Sequence, residues 1–180
     1  MSSDERNATL RMISCCLFSA LLVALATPAA AETGVEAGRS TDDVELVRLL
    51  QRVEIPWQPW QGRSLEVDLD LELDIGYWHG ADETLWEVGA VPVWRLQGRS
   101  GHGWFAEGAV GAYLLSDTFI GEQDLSSAYQ FGDHVGFGWR SRGAQPLELR
   151  YRLQHLSNAG LVKPNNGIDF HLLSLVRHYN

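Results

Sequence analysis

The sequence predicts an all-β fold, an eight-stranded antiparallel transmembrane β-barrel of the kind that spans an outer membrane. Three observations carry this. The chain opens with an export leader. One segment, Ser64 to His79, alternates apolar and acidic residues along its whole length. The rest divides into segments of the same two-residue period, eight in all, the even number that single-chain outer-membrane barrels use.

The leader comes first. Met1 to Met12 is polar and holds Arg6 and Arg11, Ile13 to Ala26 is apolar, and Ala29-Ala30-Ala31 offers a small-residue cleavage site. A membrane helix needs roughly 20 apolar residues, so this run is too short to span. The expected organisation is a signal peptide over 1–31 and a barrel domain over 32–180. Both cysteines, Cys15 and Cys16, lie in the leader, which leaves the exported part without disulfide or thiolate chemistry. The net charge is −9 without basic clusters, which argues against nucleic acid as a partner.

Gly34 to Arg39 is a short first strand. Val44 to Ile55 is the second; a helix is its rival, because Val44, Val47, Leu50 and Val53 also fit a helical stripe. In the third, Ser64 to His79, Leu65, Val67, Leu69, Leu71, Leu73, Ile75 and Tyr77 share one phase. Glu66, Asp68, Asp70, Glu72 and Asp74 share the other. Five acids on one face repel in a dry core but suit a polar interior supplied with cations, while the other face meets lipid. Leu85 to Leu96 is the fourth, where Pro92 deletes a ladder donor. Trp104 to Leu115 is the fifth. Tyr129 to Arg140, the sixth, turns Phe131, Val135, Phe137 and Trp139 outward and Gln130, His134 and Arg140 inward. Leu147 to Ser157, the seventh, sets Leu147, Leu149, Tyr151 and Leu153 toward lipid. Its Arg150 and Arg152 face the lumen as partners for the third-strand acids. Ile168 to Tyr179 is the eighth. Closure is required because lipid offers no hydrogen bonds to an open edge; a soluble eight-stranded barrel is the structural alternative.

With both termini periplasmic, connection 5–6 (Ser116 to Ala128) is long and extracellular, and connection 6–7 (Ser141 to Gln145) is short and periplasmic. Trp57 and Trp60 flank turn 2–3 as girdle aromatics.

Connection 7–8 then lies outside, and its base carries chemistry. His155 and Ser157 continue the lipid-facing phase of the seventh strand, and Asp169 shares the phase of Leu173 and Leu175 on the eighth. A hairpin centred near Lys163 sets Ser157 opposite Asp169, with His155 diagonal to it. Histidine, hydroxyl and carboxylate are the general base, nucleophile and orienting acid of a hydrolase. The plain alternative is a polar turn with an incidental histidine and serine. Polar groups on the lipid side are costly unless they sit at the interface with a purpose. A site there suits the ester of an amphipathic lipid. Asp133, lipid-facing on the sixth strand and set beside Leu153 by a hairpin centred near Gly143, is a rival acid. His79, His102, His134, His171 and His178 read as loop, lumen or interface residues and form no close-spaced metal motif.

The run His155-Leu156-Ser157-Asn158-Ala159-Gly160-Leu161, followed by Pro164-Asn165-Asn166-Gly167-Ile168, resembles the lipid A deacylase family of the PagL type; so does Gly121 to Ser127 on through Phe131. The resemblance implies a carboxylic ester hydrolase, a lipid A 3-O-deacylase, that needs no cofactor and no metal. It makes His155 the base, Ser157 the nucleophile and Asp169 the acid, and places Asn158 and Gly160 at the oxyanion and substrate. The family pattern has Glu where this chain has Asp169, a side chain longer by one methylene, roughly 1.5 Å. The implied partners are lipid A or lipopolysaccharide and the outer membrane of a Gram-negative bacterium, with the site at the outer leaflet. A homodimer is also admitted. The competing functions are a non-catalytic barrel with a drifted site, and an esterase or phospholipase acting on glycerophospholipid.

Overall fold

The computed structural model describes residues 31–178; the leader expected over 1–31 lies, but for its last residue, outside them, as do Tyr179 and Asn180. Eight long strands form the wall: β1 (Ala31–Ser40), β2 (Glu45–Glu54), β3 (Leu65–Gly80), β4 (Glu83–Gly98), β5 (Gly103–Leu115), β6 (Tyr129–Arg140), β7 (Leu147–Ser157) and β8 (Ile168–His178). Each pairs antiparallel with the next, and β1 pairs with β8, so the sheet closes as the alternation predicts. The second segment is a strand and not a helix. Its helical stripe splits, with Leu50 buried in the lumen and Val47 and Val53 exposed on the wall. Two-residue alternation is what puts both Arg48 and Arg52 inside, among the acids.

The interior is layered. Its middle is an ionic lattice. Glu72 binds Arg52 at 3.1 Å, Arg150 at 3.0 Å and Arg152 at 2.6 Å. Glu107 binds Arg152 at 2.6 Å and Arg95 at 3.0 Å, and Glu36 joins Arg48 at 2.7 Å to Arg152 at 3.3 Å. Of the third-strand acids only Glu72 takes Arg150 and Arg152 as partners; Asp70 lies 3.5 Å from Arg52, Asp74 lies 3.6 Å from Arg48, and Asp68 is bonded to Gln58 and Gln97. Above the lattice lies an apolar layer that includes Leu46, Trp78, Leu85, Leu156, Phe170 and Leu172, capped by Ile120 and Leu125 from the 116–128 connection. Trp78 and Phe170 meet edge-on, 4.7 Å between centroids. At the opposite end the lumen opens into a cavity of about 320 Å³ lined by Glu32, Asp68, Asp70, Arg140 and His178, among others.

The outer face is apolar. Val47, Leu49, Leu149, Leu153, Leu173 and Leu175 are all exposed on it. Val91 and Pro92 form no bridge to β5, although pairing resumes in the same register on both sides. Gly111 fills the gap: a Cβ there would come within 2.8 Å of Val91 Cα, so only glycine permits this approach.

The rim carrying connections 41–44, 81–82, 116–128 and 158–167 is called upper here. Its connections are not uniformly long, since two are tight turns, and the lower 55–64 connection is itself long. In that lower connection Trp60–Gln61 folds back onto Val67 and Glu66, and Trp57 and Trp60 stand exposed at the lower rim.

Candidate active site on the barrel wall

His155, Ser157 and Asp169 all lie on the outer wall just below the upper rim, because β7 and β8 keep their alternation to their ends. The register differs from the expected one by two residues. His155, not Ser157, stands directly opposite Asp169, and the last β7–β8 pair is Leu156 with Ile168. Ser157 lies one position beyond that pair and faces Phe131 of β6. The 6–7 register is corrected in the same way: Asp133 stands opposite His155, where Leu153 was expected. His155 is therefore the middle of a rung, with a carboxylate on each neighbouring strand.

The bond goes to Asp169. His155 Nδ1–H donates to Asp169 Oδ1 at 2.7 Å. With that proton on Nδ1, Nε2 is the lone-pair nitrogen, the one a general base uses. A direct rung lets the short aspartate reach; a diagonal would have asked for about 7–8 Å between positions. Thr41 N–H donates to the Asp169 carbonyl at 3.2 Å, which fixes the start of β8. His155 and Asp169 are partly exposed, with side chains 43% and 64% accessible, so the pair lies open to whatever bathes the wall.

The turn after Ser157 is built around Asn158, which is fully buried. Its Nδ2 donates to the Leu125 carbonyl at 3.0 Å, its Oδ1 accepts from Val162 N–H at 3.3 Å, and its own N–H donates to Asn165 Oδ1 at 3.0 Å. Leu125 O also accepts from Gln130 Nε2 at 3.2 Å, so one carbonyl joins the 116–128 connection to the 158–167 turn. Asn158, expected beside the oxyanion, thus turns its amide inward. Ala159 and Gly160 follow with positive φ, and Gly160 is exposed. Sequence reasoning turned Gln130 inward on β6 and included Asn165 in the motif, but missed what they and Leu125 do. Their bonds are to a loop carbonyl and a loop N–H, for which periodicity has no signal. Of the remaining histidines, His134 and His178 face the lumen. His79 and His171 face outward, and His171 Nδ1 is hydrogen-bonded to Tyr151 Oη at 2.6 Å.

Comparisons with known proteins bear on the family and the fold. A family model described as lipid A 3-O-deacylase (PagL) matches residues 47–178. The chain is 31% identical over 163 residues to the lipid A deacylase PagL of Bordetella bronchiseptica, covering 85% of this chain and 89% of that one. It is 35% identical over 101 residues to the lipid A deacylase PagL of Pseudomonas aeruginosa, covering 54% and 57%. Its fold matches the crystal structure of the outer membrane enzyme PagL with a TM-score of 0.72 at 26% identity, over 81% of this chain and 97% of that one. The homodimer admitted by the sequence finds no support in these comparisons.

Proposed function

Since the chain belongs to the lipid A 3-O-deacylase (PagL) family, we propose that it is an outer-membrane esterase that hydrolyses the acyl ester at the 3-position of lipid A, with Ser157 as nucleophile. The single observation that carries the mechanism is the His155–Asp169 bond on the lipid-facing wall, two residues before a serine on the same face. His155 Nε2 takes the Ser157 proton, and the alkoxide attacks the acyl carbonyl. The imidazolium is stabilised by Asp169 and returns its proton to the departing sugar oxygen. Water, activated by the same histidine, then releases the fatty acid and restores Ser157.

Asn158 and Gly160 serve the oxyanion. Asn158 fixes the turn through its three bonds, and the exposed Gly160 contributes its backbone N–H. The upper rim faces outward, which sets the rung at the depth where headgroup esters of the outer leaflet lie.

The test is mass spectrometry of lipid A, and in parallel of glycerophospholipid, from cells with and without the protein. The expected result is lipid A short of one ester-linked acyl chain and unchanged phospholipid. Ser157→Ala and His155→Ala should each abolish the loss, because the two act as a unit. Deacylation by Ser157→Ala would refute the serine mechanism, and acyl loss from phospholipid alone would favour the phospholipase reading.

A further inference from the structure

We infer that Gly167 is a positioning residue for His155: its bare Cα leaves room for the Cε1–Nε2 edge of the imidazole, and any side chain there displaces the ring from Asp169. The inference deepens the proposed function and rests on its reading of His155 as the general base.

Gly167 is the last residue of the 158–167 turn, next to the first residue of β8. A Cβ built on it would lie 2.7 Å from His155 Cε1, 3.2 Å from His155 Nε2 and 3.1 Å from the Leu156 carbonyl oxygen. Real carbon atoms do not approach to 2.7 Å, so something must move. The Leu156 oxygen belongs to the β7 backbone, held in ladders on both sides. The imidazole ring, which pivots about its side-chain torsions, is the part that yields. The ring is therefore gripped from two edges: Asp169 holds Nδ1 by a hydrogen bond, and Gly167 supports the edge formed by Cε1 and Nε2. That second edge carries the nitrogen that must meet the Ser157 proton. A misplacement of about 1 Å at a catalytic group costs on the order of 10²-fold in rate.

Gly167 also has φ +67, where side chains are strained for a separate reason. The two effects separate cleanly. Gly101, in the lower-rim turn far from the site, has φ +66 with nothing within 4 Å of an added Cβ. Gly101→Ala therefore measures strain without the clash. Gly167→Asn measures the clash with less strain, because asparagine tolerates this backbone conformation.

The experiment uses the full barrel refolded in detergent with ¹³C-labelled histidine. The His155 Cε1–H signal is identified by its loss in His155→Ala, and deacylation kinetics are measured on the same samples. Gly167→Ala and Gly167→Asn should both shift that signal and lower kcat by about 10²-fold while KM stays within about twofold. Gly101→Ala should change neither. If Gly167→Ala does not fold, Gly167→Asn carries the test. An unmoved His155 signal in the variants that fold overturns the inference, and so does an equal loss in Gly101→Ala. Wild-type kcat in a Gly167 variant, beside an inactive Ser157→Ala, also overturns it. Activity in Ser157→Ala would instead remove the catalytic reading beneath it, an outcome that the His155 signal distinguishes because it reports ring position without turnover.

Discussion

Asp169 reaches His155 because the two occupy one rung of the β7–β8 ladder, and Asp133 occupies the same rung from the other side. Only Asp169 makes the hydrogen bond, at 2.7 Å. The two carboxylates should therefore differ sharply on substitution. Asp169→Asn should lower kcat by about 10³–10⁴-fold, since the amide offers a donor to the wrong tautomer and no counter-charge to the imidazolium. Asp133→Asn should stay within about tenfold of the parent, as befits a charge near the site that makes no bond to it. Kinetics on purified lipid A with both variants decide the matter, and the reverse ranking would make Asp133 the acid. That these three residues share a face was legible in the sequence, because phase depends only on odd and even numbering. Which of them stand opposite each other was not. Register depends on how many residues the turn absorbs, and the 158–167 turn is organised by the buried amide of Asn158 and by Asn165, whose partners lie at a distance along the chain. An error of two residues preserved every face and changed the neighbour of the histidine.

At the level of the strand, legibility follows the contrast between faces. β3 could be read at once, since leucines and acids alternate without a break. β1 is longer than its sequence suggested, Ala31–Ser40, because its glycines serve close approach and carry no pattern. A Cβ on Gly38 would fall 2.0 Å from the His171 carbonyl oxygen. β2 was ambiguous until its arginines were placed. The alternation also makes a direct prediction for β8, where Leu173 and Leu175 are exposed and Ser174 is buried with its hydroxyl on Glu36. Single cysteines at 173 and 175 should react with a lipid-soluble maleimide in folded barrels, and a cysteine at 174 should be protected until the barrel is unfolded. Labelling of 174 alone would mean that the wall faces the other way.

At the level of the whole molecule, strands that could slide against one another are pinned from inside. Glu72 alone ties β3 to β2 and β7 through three arginines. Buried charges of this kind add little over an apolar filling, but removing one partner leaves the others buried and uncompensated. Glu72→Ala should therefore destabilise the barrel by about 3–5 kcal/mol. The measurement is urea unfolding in lipid vesicles, followed by the loss of heat-modifiable migration on a gel. Exposed Glu45, with no ion-pair partner among the described residues, supplies the control, and Glu45→Ala should lie within about 0.5 kcal/mol of the parent. Equal stabilities for the two variants would show that the lattice is not what holds the strands in place.

The apolar layer beneath the upper rim has a bearing on traffic. Trp78, Leu156 and Phe170 are packed together inside the bore, and on the mechanism proposed above the fatty acid would be freed at Ser157, on the outside of that layer. Such a product would depart sideways, into the leaflet that surrounds the wall. Its escape would then depend on the fluidity of the neighbouring lipids and not on the lumen.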